Sequence, residues 1–157
     1  MIPEAEFIRK EFVLRQMDLP DSVLLTKKSL LRWTCLSLGL LSPKESRDKA
    51  LLVFDSLFYF IFSEKENPTT LELQKRIREK NSVEMSEKLI RYHLNRLISL
   101  GILQRKKTQY LINPSPSSEQ RNSLKESFSA WVKKPADDEF ERISNALDKL
   151  QSLYAKH

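Results

Sequence analysis

The chain has 157 residues, 40% of them hydrophobic, which is enough for one domain with an appendage and for a buried core. It contains two glycines, Gly39 and Gly101, which excludes the glycine-rich phosphate loops of Rossmann and P-loop enzymes and points to a mainly helical fold. The formal charge of +6 is focused: Lys75 to Tyr110 holds ten Lys or Arg against three acids, net +7, while the rest of the chain has 17 basic and 18 acidic groups. A positive segment of this kind attracts a polyanion, whose released counterions drive binding. Cys35 is the single cysteine, so no internal disulfide can form and a cytoplasmic location is expected. No signal pattern stands in Met1–Asp18. The most apolar run, Ala50–Phe62, contains Asp55 and falls short of the ~20 residues a membrane-spanning helix needs, so no membrane association is expected.

In chain order, Pro3–Met17 is predicted to form an amphipathic helix, with Phe7, Ile8, Phe12 and Leu14 or Arg15 alternating with Glu6, Arg9, Lys10 and Glu11, and Pro20-Asp21 breaking it. A second helix is predicted over Lys28–Leu38, with Thr26 or Lys27 on the turn before it, Leu30, Leu31, Trp33, Leu36 and Leu38 mostly buried, and Gly39 at its end. These elements form an N-terminal extension, residues 1–42.

A central domain is predicted over residues 43–113. Ser42-Pro43-Lys44-Glu45 has the residues of a helix start, a serine cap, a proline at the first helical position and a glutamate three residues on from the serine. That helix is expected to reach about Phe62, apolar on nearly all sides and therefore buried on most of them. Its aromatic set, Phe54, Phe58, Tyr59, Phe60 and Phe62, suits core packing better than an effector pocket. Asn67-Pro68 marks a loop, and Thr69 with Glu72 forms a capping box for a helix to Lys80 that buries Leu71, Leu73 or Ile77. After a turn over Asn81–Met85, Ser86 caps a helix over residues 86–100 whose apolar positions are Ile90, Leu94, Leu97 and Ile98. Gly101 stops it. Ile102–Arg105 and Gln109–Ile112 then read as strands around the basic turn Lys106-Lys107-Thr108.

The order helix, turn, helix, glycine and hairpin resembles winged helix-turn-helix proteins. Tyr92-His93-Leu94-x-x-Leu97-x-x-x-Gly101-Ile102-Leu103 is similar to the HL..L...GL(I/V) pattern of ArsR/MarR-like transcription regulators of bacteria and archaea. The resemblance covers about Ala50–Asn113, and the flanking helices depart from the usual arrangement of those families. It implies double-stranded DNA as partner, with helix 86–100 in the major groove and hairpin 102–112 on the backbone. On a helical wheel Lys88, Arg91, Tyr92 and Asn95 form a front, opposite an apolar back that includes His93. Arg can read guanine and Asn adenine, while Lys and Tyr reach phosphates or a thymine methyl. The candidate DNA contacts are thus Ser86, Lys88, Arg91, Tyr92, Asn95 and Arg96, the last at the edge toward phosphate, with Arg105, Lys106 and Lys107 from the hairpin. A winged helix can also dock protein or RNA, and that alternative stays open. His93 reads as packing, since no Cys, His or acid cluster accompanies it. No nucleophile–base pair stands out, so no catalytic residue, metal or cofactor is assigned and enzymatic activity is not expected.

Residues 114–157 read as a C-terminal arm. Pro114–Ser118 is a linker, Ser117 and Gln120 cap a helix to about Lys133 with Leu124, Phe128 and Trp131 on one face, and Pro135 breaks it. Asp137, Asp138 and Glu139 then favour the start of a last helix, in which Phe140, Ile143, Leu147, Leu150 and Tyr154 recur at heptad spacing. This seam predicts a homodimer through the terminal helices, matching the two-fold symmetry of operator DNA.

Overall fold

The computed structural model describes residues 1–44 and 49–156, which group into two compact units, Met1–Arg96 and Leu97–His157. It is mainly helical, with one two-stranded antiparallel sheet among the described residues. The first unit contains α1 (Lys27–Ser37), α2 (Lys49–Phe58, continued by a π-helical turn to Ser63), α3 (Thr70–Asn81) and most of α4 (Glu87–Leu100). The second contains the end of α4, β1 (Leu103–Lys106), β2 (Gln109–Ile112), α5 (Leu124–Phe128) and α6 (Lys134–Ala155).

The expected helix over Pro3–Met17 does not form. Pro3–Phe7 is a single 3₁₀ turn, and residues 8–20 have no regular helix. The competing demand comes from α1, whose last carbonyls have no helical partner. Arg15 meets it: its backbone N–H donates to the Ser37 carbonyl at 2.9 Å, and its Nη1 donates to Leu36 and Leu41 carbonyls at 2.6 and 3.0 Å. Trp33 Nε1 holds the same strap by donating to the Asp18 carbonyl at 2.8 Å. Thr26 caps the N terminus of α1, accepting from the Ser29 N–H at 3.1 Å. At the other end, Gly39 takes φ +72° while Leu40 N–H returns to the Cys35 carbonyl and Gly39 N–H to that of Leu36, the closure that favours glycine. A Cβ on Gly39 would lie 2.5 Å from Val13 of the strap. Within α1, Cys35 and Ser37 are the buried residues; Leu31, Trp33, Leu36 and Leu38 are only half-buried and Leu30 is exposed, because the strap covers this helix incompletely.

Pro43 and Lys44 form a turn rather than the first turn of a helix, and the expected capping partner Glu45 lies outside the described residues. From Lys49 onward α2 meets the expectation of a buried helix, with Leu51, Val53, Phe54, Ser56 and Leu57 all buried. Phe54 lies in the core; Phe58, Tyr59 and Phe60 are half-buried and Phe62 is exposed. The capping box of α3 is present in both directions, Thr69 Oγ1 accepting from Glu72 N–H at 3.2 Å and Glu72 Oε1 from Thr69 N–H at 3.0 Å. Leu73 and Ile77 are fully buried, while Leu71, in the first turn of α3, points to solvent. Arg76 ties α3 to α2: its Nη1 donates to Ser56 Oγ at 2.8 Å, and its guanidinium lies 3.9 Å from the centroid of Tyr59.

In the second unit the hairpin closes through Lys107 and Thr108, with Lys106 opposite Gln109 and Leu103 opposite Ile112. Its base is fastened by Asn113, whose N–H donates to the Ile102 carbonyl and whose Nδ2 donates to Gly101, both at 2.9 Å. Trp131 Nε1 donates to Pro114, and Ser127 Oγ to Ile102. The helix expected from Ser117 begins instead at Ser123, which accepts from Glu126 N–H at 3.1 Å. Ser115 and Ser118 spend their hydroxyls on the backbone N–H groups of Ser117 and Gln120, local bonds that compete with helix. Of the face expected over this helix, Leu124 and Phe128 are half-buried and Trp131 is exposed at its margin. Pro135 does not break the chain. A π turn over Ser129–Lys133 lets Lys134 N–H bond Ser129 five residues back, and Pro135 then sits in the first turn of α6, where its missing N–H is harmless.

Candidate nucleic-acid interface

α3 and α4 are joined by five residues that the local chemistry pins. Ser82 occupies the left-handed region at φ 55° and donates to the Arg78 carbonyl, ending α3. Met85 is buried, and its carbonyl accepts from Gln74 Nε2 at 2.9 Å. The role of Gln74 in holding this turn has no local sequence signal, because the bond spans eleven positions. Ser86 caps α4 as expected, accepting from Leu89 N–H at 3.1 Å, so its hydroxyl is engaged in starting the helix.

The two sides of α4 are sharply divided. Ile90 and Leu94 are fully buried, Leu97 nearly so, and His93 is buried with its ring edge-on to Phe54 at 6.3 Å. Lys88, Tyr92 and Asn95 are exposed and Arg91 is half-exposed, so the four residues expected on the front do share a solvent-facing side. Arg91 Nη1 lies 3.6 Å from Glu87 Oε1, a solvent-screened pair one turn apart on the helix. This pairing aims the guanidinium along the front without burying it.

Arg96 is placed differently. Its Nη2 donates to the Leu40 carbonyl at 2.6 Å and the Gly39 carbonyl at 3.3 Å, at the C-terminal end of α1. A cation there lies just past the last turn of α1, on the side of the negative end of its dipole, and serves the carbonyls of the turn that follows. Arg15 reaches the Leu36 carbonyl within α1 and that of Leu41 beyond it, so two guanidinium groups hold the end of α1 and the turn after it. Arg96 also lies close enough to Cys35 to oppose the effect of burial, which nonetheless pushes that thiol up from 9.0 to about 12. Such a thiol is neutral and inert at physiological pH.

The hairpin presents its cations independently. Arg105, Lys106 and Lys107 are all exposed, with Lys107 at the turn in the left-handed region at φ 58°. Arg105 Nε donates to the Lys107 carbonyl at 2.8 Å, and its guanidinium lies 5.6 Å from the ring centroid of buried Tyr110. Arg105 thus braces the turn, and the side chains of Lys106 at the end of β1 and Lys107 in the turn are left exposed. Gly101, at φ +116°, separates α4 from this hairpin; a Cβ there would come within 3.1 Å of Trp131 Cβ and 3.2 Å of its carbonyl.

Among the described residues, no three His, Cys, Asp or Glu side chains come together as a metal site, and no helix is long and apolar enough to cross a membrane. No protein-family model, curated protein or solved structure matches the chain.

Proposed function

We propose that the protein is a winged-helix transcription regulator of the cytoplasm that binds double-stranded DNA sequence-specifically. Lys88, Arg91, Tyr92 and Asn95 enter the major groove, and Lys106 and Lys107 engage backbone phosphates. The observation that carries this reading is the divided surface of α4: a buried back of Ile90, His93, Leu94 and Leu97, and a polar, basic front turned to solvent. The net +7 of Lys75–Tyr110 supports it, because a compensated surface would not concentrate the whole charge excess in one segment. Arg91 supplies the bidentate donor for guanine and Asn95 the donor–acceptor pair for adenine. Arg96 serves the reading indirectly, by anchoring α4 to the end of α1. The protein acts as a homodimer, and of its two termini α6 is the one with an apolar seam on a continuous helix.

Selection of bound sequences from a random duplex pool tests this directly. A palindromic consensus with two half-sites about one helical turn apart is expected. Recovery of an unenriched pool overturns sequence-specific recognition. The pairing of Arg91 with Glu87 and the exposure of the Tyr92 ring favour a second reading, in which the same front docks a protein or RNA surface. Failure to bind any duplex at low salt would select it.

A further inference from the structure

α6 is a 22-residue helix with no buried residue, and its apolar stripe faces water. Phe140, Ile143, Leu147, Leu150 and Tyr154 recur at spacings of three and four, and they and Leu153 are exposed by between 48% (Ile143) and 76% (Tyr154). A contiguous stripe of this size on a long helix calls for a covering surface.

We propose that this surface is a second copy of α6, running antiparallel, with Phe140 of one chain against Leu150 of the other and Ile143 against Leu147. The proposal rests on the homodimer reading above but not on DNA binding.

The first argument is area. Six exposed apolar side chains at on the order of 100 Å² each give roughly 600 Å² per helix and about 1,200 Å² for a pair, above the ~1,000 Å² that a specific interface needs. Pairing α6 with itself therefore suffices for a dimer of modest affinity.

Side-chain size sets the direction. Phe140, Leu147 and Tyr154 occupy one heptad position of the seam, and Ala136, Ile143 and Leu150 the other. Parallel pairing stacks like on like, so Phe140 and Tyr154 each meet their own copy in overfilled layers while Ala136 meets Ala136 across a void. Antiparallel pairing mates the two positions, giving Phe140 with Leu150, Ile143 with Leu147 and Tyr154 with Ala136. The outer layers then combine a large with a smaller side chain and the central Ile143–Leu147 layers match in size, the arrangement that fills a core evenly.

Charge agrees with size. The N-terminal half of α6 carries Asp137, Asp138, Glu139 and Glu141 against Lys134 and Arg142, while the C-terminal half balances Asp148 with Lys149, so the acidic excess lies at the N-terminal end. Parallel pairing would bring the two acidic ends together; antiparallel pairing separates them, sets Glu141 level with Lys149 of the other copy, and opposes the helix dipoles favourably. Three of these acids already pair along their own helix, Asp137 with Lys133, Asp138 with Lys134 and Glu139 with Arg142, so packing carries more of the preference than charge. The central flanks of the seam, Ser144, Ala146 and Gln151, are uncharged, so the flanking ion pairs that select parallel coils have no residues here.

The test uses the full chain in two measurements. Sedimentation velocity at micromolar concentrations is expected to show a monomer–dimer equilibrium, weakened at least ~10-fold by Leu147→Glu, a substitution at an exposed position that leaves the core untouched. Nitroxide labels are then placed singly at Asp138→Cys, Asn145→Cys and Ser152→Cys, which share the outer face of α6. Antiparallel pairing predicts the shortest intermolecular distance at position 145, with positions 138 and 152 each offset by a further ~20 Å along the axis. Three equal distances would mean parallel pairing and overturn the orientation. A monomer at all concentrations would overturn the dimer itself, and either result is separate from whether the protein binds DNA.

Discussion

α4 and α6 carry equally marked apolar stripes, yet one is sealed and the other bare. In α4, Ile90, Leu94 and Leu97 are buried, and the exposed residues are Lys88, Tyr92, Asn95 and Ser99. In α6 every residue of the stripe is exposed. The contrast shows what periodicity does and does not say: it identifies a surface that must be covered, and is silent on whether the cover lies in the same chain. It also separates the two kinds of interaction proposed here, one through the polar side of a helix whose apolar side is satisfied, the other through the apolar side itself.

The sharpest way to break this comparison is to truncate one residue from each stripe. Leu94→Ala should lower unfolding stability by about 2–5 kcal/mol, since it opens a cavity in a filled core. Leu147→Ala, measured by thermal denaturation at concentrations dilute enough to keep the chain monomeric, should change stability by less than ~0.5 kcal/mol. Equal effects would mean that α6 is packed after all.

The two arginines of α4 extend the comparison to its polar edge. Arg96→Ala leaves the Gly39 and Leu40 carbonyls without their charged donor and should cost about 1.5–3 kcal/mol in denaturant unfolding. Arg91→Ala should leave stability nearly unchanged and weaken duplex binding about 10-fold in a fluorescence anisotropy titration. The opposite pattern would exchange their roles.

A smaller effect is expected in the hairpin. Lys107→Gly relieves a left-handed lysine and should hold or raise stability by up to ~1 kcal/mol, while the slope of log affinity against log salt becomes shallower by about 1. A loss of fold would show that the turn depends on the lysine side chain.

The last effect is confined to alkaline pH. Burial raises the Cys35 thiol from 9.0 to about 12, so the folded state holds a proton that the unfolded state releases first. The resulting stabilisation is complete below pH 9, falls as pH rises from there, and is gone above about 12. Cys35→Ala should flatten that alkaline decline, as read by Tm against pH.

What the sequence reveals of this fold follows from how local each feature's cause is. The Thr69–Glu72 box, the Ser86 cap, the Gly39 and Gly101 stops and the two strands rest on neighbouring residues, and the structure has all of them. The N-terminal helix fails because the groups that compete for it, the carbonyls of Leu36, Ser37 and Leu41, lie more than twenty positions away. The misplaced start of α5 has a subtler cause: Ser117-x-x-Gln120 and Ser123-x-x-Glu126 are near-equivalent signals, decided by serine hydroxyls that already serve the intervening loop. Pro135 was read as a break because a π turn that absorbs a proline has no sequence signature of its own. Within the candidate site, the front of α4 was legible from helical spacing, since a helix wheel needs no tertiary knowledge. The engagement of Arg96 with Gly39 and Leu40 was not, because it depends on where a distant helix ends.

The central claim is that the polar front of α4 binds duplex DNA, and its most direct test is a salt titration of binding to a random duplex by the intact protein and by Arg91→Ala. Five candidate cations, Lys88, Arg91, Arg105, Lys106 and Lys107, predict a log–log slope of about −4.5 per protomer for the intact protein, and a shallower slope with weaker binding for the variant. No binding at low salt, or binding that Arg91→Ala leaves unchanged, would contradict it.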